Sequence, residues 1–163
     1  IFYLDKGYNV KEIATYSKFF GVFATIIGGI IGGYSAIKIG TLKTLFIGAV
    51  IAAASNLLFA WLAVSNTNIN LLITVITADN ISSGFACAAF VVYLTALTSI
   101  KFTATQYALF SSLMLLLPKV LAGYSGVIVN QIGYANFYIF TAIIGIPVLL
   151  LIIWIAKIAP VKD

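Results

Sequence analysis

Two consecutive apolar runs, residues 71–98 and 104–129, are each long enough to cross a lipid bilayer, and each holds a single charge. Asp79 interrupts the first and Lys119 the second. A charge at the centre of a lipid-embedded helix costs roughly 2.5–3.5 kcal/mol on insertion scales. Such charges persist where they have a partner or a watery cavity. The pair therefore points to a polar pathway through a helical membrane protein.

Composition supports that reading. The chain has 163 residues, of which 63% are hydrophobic and 8% charged, and its mean hydropathy is +1.15. Soluble domains carry about 25% charged residues. A chain this short cannot bury so much apolar surface in a core, so its solvent is lipid. Every basic residue is lysine, and there is no histidine. The net charge of +5 is spread as single lysines between apolar runs, which reads as membrane topology and argues against a nucleic-acid partner. Cys87 is the sole cysteine, so no intrachain disulfide forms, and its place in an apolar run marks it as a small packing residue.

A membrane helix needs about 20 predominantly apolar residues. The sequence predicts five, at residues 13–37, 44–64, 71–98, 104–129 and 137–158, joined by short polar connections at 38–43, 65–70, 99–103 and 130–136. The expected fold is all-α, a polytopic bundle with antiparallel neighbours. Residues 1–4 read as the end of an upstream helix that is truncated here, 5–12 as a periplasmic loop, 13–158 as the membrane domain and 159–163 as a cytoplasmic tail. Lys38, Lys43, Lys101, Lys157 and Lys162 fall on one side, and the connections at 65–70 and 130–136 are uncharged. The positive-inside rule places the lysine side in the cytoplasm. Trp61, Tyr134, Tyr138 and Trp154 lie near span ends, as an aromatic belt requires.

Small and polar residues suggest how the spans pack. Gly28/Gly32 and Gly29/Gly33 form two overlapping G-x-x-x-G pairs, and Ala122/Gly126 repeats the spacing in the fourth span. Such spacing lets helix backbones approach closely. Polar residues concentrate in spans three (Asp79, Asn80, Ser82, Ser83) and four (Gln106, Ser111, Ser112, Lys119, Ser125), with Lys18 near the outer end of span one. The expected cavity is lined by spans one, three and four, with two and five facing lipid and Asn56 the exception.

A cavity with two outer supports resembles the half-bundle of a major facilitator transporter, whose third and sixth helices face outward. If residues 1–4 end the first helix, the five spans are the second to sixth. That family has a cytoplasmic loop signature between its second and third helices; Gly33, Lys38, Gly40 and Lys43 fit it loosely, and Ile37 stands where an acid is expected. A more specific resemblance is to the AmpG muropeptide permeases. It rests on Asp5-Lys6-Gly7-Tyr8 followed by Lys11-Glu12-Ile13-Ala14, on Ser55-Asn56-Leu57-Leu58-Phe59-Ala60-Trp61, on Asp79-Asn80 with Gly84, and on Phe102-Thr103-Ala104-Thr105-Gln106-Tyr107-Ala108-Leu109. The resemblance implies the C-terminal part of a twelve-helix transporter. It implies an inner-membrane symporter that imports anhydro-muropeptides on the proton gradient, with an N-terminal half of the same protein as its partner. The alternatives are a major facilitator for another solute, of sugar or acyl-carrier type, and a non-transport anchor or assembly subunit.

The candidate transport residues are Asp79, Asn80 and Lys119. Counted from the outer ends of their spans, Asp79 and Lys119 lie at about the same depth, roughly 13–15 Å, where transporter sites usually sit. The competing reading is a structural ion pair that lets two helices insert. For Asn80 it is a helix–helix hydrogen bond. Pro118 removes a backbone hydrogen bond beside Lys119 and can kink the helix there. Lys38 and Gly40 are gating candidates through the loop signature, and Gln106 and Tyr107 through their place at the start of span four, where interface anchoring competes. Gly123-Tyr124-Ser125-Gly126 resembles the nucleophile motif of rhomboid proteases, but the chain has no histidine to take the serine proton. We therefore expect no enzyme, no metal site and no cofactor.

Overall fold

The computed structural model of the chain describes residues 1–98 and 103–158. The expected connection at 99–103 with Lys101, Phe102 of the AmpG-like stretch, and the tail with Lys162 lie wholly or mostly outside those residues.

Helices are the regular structure among the described residues, in the order α1 (Phe2–Asp5), α2 (Val10–Tyr16), a π-helical turn (Ser17–Gly21), α3 (Val22–Ile39), α4 (Thr41–Val64), α5 (Ile69–Leu97) and α6 (Thr103–Ile158). Four helical segments are long and apolar enough to span a membrane: Val10–Ile39, Thr41–Val64, Ile69–Leu97 and Ala104–Ile158. The count is four and not the expected five because no loop separates residues 104–129 from 137–158. The helical run breaks only at Gly133, where φ is 78° and ψ 164°. The chain nevertheless folds back there. Leu113 and Val148 line one cavity, whereas a straight helix would hold them about 50 Å apart. Residues 103–132 and 134–158 are thus two arms of α6, joined by one glycine.

The same economy of turns recurs between α3 and α4. The sequence suggests a polar connection at 38–43, yet Gly40 alone separates the helices, at φ 93° and ψ 154°. That backbone region is essentially restricted to glycine. Thr44 then caps the turn, its hydroxyl donating to the Gly40 carbonyl at 2.9 Å.

The presumed loop at 5–12 is also more ordered than a linker. Asn9 caps α2 in a capping box with Glu12, so the first long helix begins at Val10, three residues before expectation. Lys6 Nζ donates to the carbonyls of Ala63 (2.9 Å) and Ser65 (2.7 Å), at the end of α4. Such a cation satisfies carbonyls that have no partner within the helix. Gly7 turns the chain at φ 88°. Tyr8 is buried, and its hydroxyl donates to the Asn68 carbonyl at 3.0 Å. Tyr134 donates to the Asp5 carboxylate and so ties α6 to the same end. Beneath lies a cluster of Phe2, Tyr8, Phe59, Leu62, Leu72, Val75 and Ile76.

Helix α3 meets α5 through a stripe at every fourth residue, Ala24, Gly28, Gly32 and Ala36, all buried. A Cβ built on Gly28 would stand 2.2 Å from the Ile81 carbonyl oxygen, and one on Gly32 2.6 Å from that of Phe85. Only one of the two expected G-x-x-x-G pairs makes this contact. A Cβ on Gly29 finds its nearest atom at 3.9 Å, and one on Gly33 finds none within 4 Å. Gly126 of the other expected pair is likewise open, and Ala122 is exposed. Helix α4 packs on the opposite side of α5, with Gly48 against Ala86, and reaches the second arm of α6, where Ala53 meets Gly145.

Candidate transport site

Helix α5 is central because α3 covers one side and α4 the other. Successive residues on a helix point about 100° apart, so Asp79 and Asn80 serve different neighbours. Asn80 looks toward the start of α3. Its Oδ1 lies 3.1 Å from the Thr25 hydroxyl, which also lies 2.9 Å from the Gly21 carbonyl, and its Nδ2 donates to the Ile76 carbonyl at 2.8 Å. A Cβ added to Gly21 would stand 3.3 Å from the Asn80 amide. The π-helical turn shifts the register of the helix at this point; such turns are inserted single events, often at functional positions. Asn80 therefore joins α5 to α3 by a helix–helix hydrogen bond.

Asp79 looks the other way, toward α4. It lines a cleft of about 760 Å³ with Ser55 and Asn56 of α4, Ser83 and Cys87 of α5, and Pro118 and Val148 of α6. Its position is about 15 Å along α5 from the start of that helix. The Ser55 hydroxyl lies 3.4 Å from Asp79 Oδ1 and 2.9 Å from the Ala52 carbonyl, which takes the better hydrogen bond. Ser82 donates to the Asp79 backbone carbonyl at 2.8 Å and lies 3.3 Å from Ser55 Oγ. The Asp79 carboxylate is thus weakly held by the protein and keeps most of its lone pairs for water, a proton or a solute.

Tyr138 stacks on Phe59 at 5.0 Å and belongs to the interior cluster more than to an aromatic belt. Trp61 and Trp154 are exposed, as belt residues are. Sequence reading did not single out Ser55 as the neighbour of Asp79, because only the packing of α4 against α5 brings the two together.

Lys119 does not meet Asp79. It is exposed, it does not line the cleft, and among the described residues no ion pair joins the two. Depth along a helix places a residue in the membrane but leaves its direction around the helix open. Pro118, the adjacent residue, is the one that reaches the cleft. The expected lining also changes. Spans two and three, with both arms of α6, form the walls, and α3 does not. Counting polar residues overlooked α4 because it contributes Ala52, Ser55 and Asn56, small groups that open space without adding charge.

The gating candidates lie elsewhere. Lys38 places its ammonium 5.7 Å from the Tyr34 ring centre, one turn back on α3. Gly40 forms the α3–α4 turn. Gln106 and Tyr107 are half-buried near the start of α6. None of the four lines the Asp79 cleft. Cys87 does, and it is exposed.

No family model matches the chain. Individual relatives do. It is 35% identical over 156 residues to a protein of Rickettsia felis named "Putative transporter AmpG 4", covering 96% of this chain and 38% of that one. It is 37% identical over 152 residues to "Putative transporter AmpG 1" of Rickettsia bellii, covering 93% of this chain and 37% of that one. The same identity and length hold for "Putative transporter AmpG 1" of Rickettsia prowazekii, of which the chain covers 34%. The chain thus spans a little over a third of the length of the curated relatives it matches. Similarity at 35–37% identity across nearly the whole chain joins an all-helical architecture with four segments long and apolar enough to span a membrane, and on these grounds the chain belongs to the AmpG transporter family.

Proposed function

We propose that the chain is part of a proton-coupled importer of anhydro-muropeptides released by cell-wall turnover, working in the bacterial inner membrane. Asp79 is the observation that carries the proposal. It is an acid in the middle of a membrane-spanning helix, open to a cleft and weakly held by its neighbours. Lipid exposure of such a group costs roughly 2.5–3.5 kcal/mol. A carboxylate that exchanges a proton, or that meets a polar solute, gives this cost a use. Asn56, Ser55 and Ser83 along the same cleft supply hydrogen-bonding groups suited to sugar hydroxyls and peptide amides.

On this reading the chain supplies the second to sixth helices of a major-facilitator-type half, and the N-terminal half of the same transporter closes the cavity. Asn80 supports the site by fixing α5 against α3 and does not touch the solute. Lys119, outside the cleft in this arrangement, is available to the surface that the other half covers. Lys38, Gly40, Gln106 and Tyr107 are retained as gating positions at the side that carries the lysines.

Uptake of a labelled anhydro-disaccharide peptide into vesicles holding the full-length protein tests the proposal. Asp79→Asn abolishes uptake while the protein remains in the membrane. If the acid served only as half of an insertion pair, Asp79→Leu combined with Lys119→Leu would restore transport; full uptake by that double variant overturns the role given to Asp79. Normal uptake of an unrelated sugar, with none of the muropeptide, overturns the substrate and favours a major facilitator for another solute.

A further inference from the structure

A second cleft lies far from Asp79, between the start of α4 and the end of α6. Its volume is about 660 Å³, and its walls include Leu42, Phe46, Ile152 and Ala156. Two lysines, Lys43 and Lys157, share that lining. Lys43 precedes Phe46 by three residues and Lys157 follows Ile153 by four, so each ammonium stands one turn beyond an apolar face of its own helix. Both lysines are exposed, and neither has a hydrogen bond or ion pair among the described residues. The acids among those residues are Asp5, Glu12 and Asp79. Asp5 is held by Tyr134 and Glu12 by Asn9 at the opposite end of the bundle, and Asp79 lies at mid-height. Nothing described at this end offsets the two positive charges.

The cleft opens toward the surroundings of the helices, which in a chain of this composition are lipid. An apolar groove that ends in two cations without a partner among the described residues complements one kind of molecule in that surrounding: a phospholipid whose headgroup carries net negative charge. Basic pockets between membrane helices bind such headgroups. Free phosphate would use the lysines but leave the groove unfilled, and a neutral lipid would fill the groove but leave the lysines unpaired. We propose that this cleft is a binding site for an anionic diacyl phospholipid, with an acyl chain in the groove and the phosphate between Lys43 and Lys157.

The two tryptophans of the chain give a direct test. Trp154 is exposed and precedes Lys157 by three residues, on the same side of the helix, whereas Trp61 belongs to the far end of α4. With Trp61→Phe as background, the full chain is reconstituted into phosphatidylcholine vesicles containing brominated phosphatidylglycerol or, separately, brominated phosphatidylcholine. Phosphatidylglycerol quenches Trp154 at a lower mole fraction, by about fivefold for each lysine engaged. Lys43→Gln with Lys157→Gln removes that preference, and Lys38→Gln, at the same end but outside the cleft, retains it. Ala156→Phe fills the groove and weakens quenching by the anionic lipid, while excess inorganic phosphate leaves it unchanged. Helicity by circular dichroism checks each variant, and Lys43→Arg with Lys157→Arg keeps the preference if the charges alone hold the headgroup. Equal quenching by the two lipids overturns the site. So does a preference that survives the double glutamine variant, or one lost equally in Lys38→Gln, which would mark general surface attraction. Competition by inorganic phosphate would assign the lysines to a soluble anion.

Discussion

Replacing Gly28 by alanine should separate α3 from α5, the helix that carries Asp79. The added Cβ would stand 2.2 Å from the Ile81 carbonyl oxygen, 2.9 Å from its carbonyl carbon and 2.9 Å from its Cα. Carbon–oxygen contacts settle at about 3.3 Å or beyond, so α3 must retreat from α5 by about 1 Å. All three atoms are backbone, and no side chain can rotate away. Overpacking of this kind costs typically about 1–3 kcal/mol. Alanine is the better helix former by about 1 kcal/mol, which offsets part of the loss. Gly33→Ala isolates that offset, because a Cβ there meets nothing within 4 Å.

The comparison to measure is therefore Gly28→Ala against Gly33→Ala, by thermal or SDS-induced unfolding in detergent micelles followed by circular dichroism. Gly28→Ala should be less stable than Gly33→Ala by about 1–3 kcal/mol. Gly84→Ala should resemble Gly28→Ala, since its Cβ would lie 2.2 Å from the Thr25 carbonyl oxygen across the same interface. The effects should also be less than additive. Once one methyl has parted the helices, the second enters space already opened, and neighbouring sites couple in this way. Equal stability of Gly28→Ala and Gly33→Ala would refute the close approach of α3 and α5. Full additivity of Gly28→Ala with Gly84→Ala would refute the rigid separation.

Three further outcomes follow from the same contacts. Gly40→Ala forces a side chain into a backbone region that only glycine adopts comfortably, so it should cost about 1–3 kcal/mol in the same unfolding assay. Lys6→Met removes the cation from the end of α4 and should cost about 1 kcal/mol, with faster amide exchange at Ser65 as its signature. Cys87 is the one thiol and lines the Asp79 cleft; its alkylation by a water-soluble maleimide should slow when anhydro-muropeptide is present, and unchanged labelling at saturating solute would place the solute elsewhere.

The membrane architecture was legible because it rests on run length and hydropathy, which neighbours in space do not alter. Three of the four observed spans coincide with predicted runs to within a few residues. The fourth merges two, because Gly133 turns the chain within a single residue and the polar stretch at 130–136 has no need to unwind. Gly40 does the same between α3 and α4. In both places polarity suggested a loop, and one positive-φ glycine sufficed. Direction around a helix was less legible. The sequence gives two overlapping glycine pairs in α3, and only the contact with Ile81 and Phe85 distinguishes Gly28/Gly32 from its neighbours. The same ambiguity joined Lys119 to Asp79 by depth, although their directions differ.

The adjacency of Asp79 and Asn80 shows how direction divides labour within one short stretch. Both are polar and both lie at the same height, so the sequence offers one site. On the helix, the Asn80 amide accepts from Thr25 and donates to its own preceding turn, and the tight approach of Gly28 and Gly84 nearby holds that geometry. Asp79 is left with a single 3.4 Å contact. A satisfied group stiffens an interface, whereas an unsatisfied one attracts a ligand. The glycines, Thr25 and Asn80 thus fix α5 on one side, and the small residues Ala52, Ser55 and Ala86 leave room on the other. Firm packing behind Asp79 and open space before it are what let one acid in an apolar helix remain in place and still be reached.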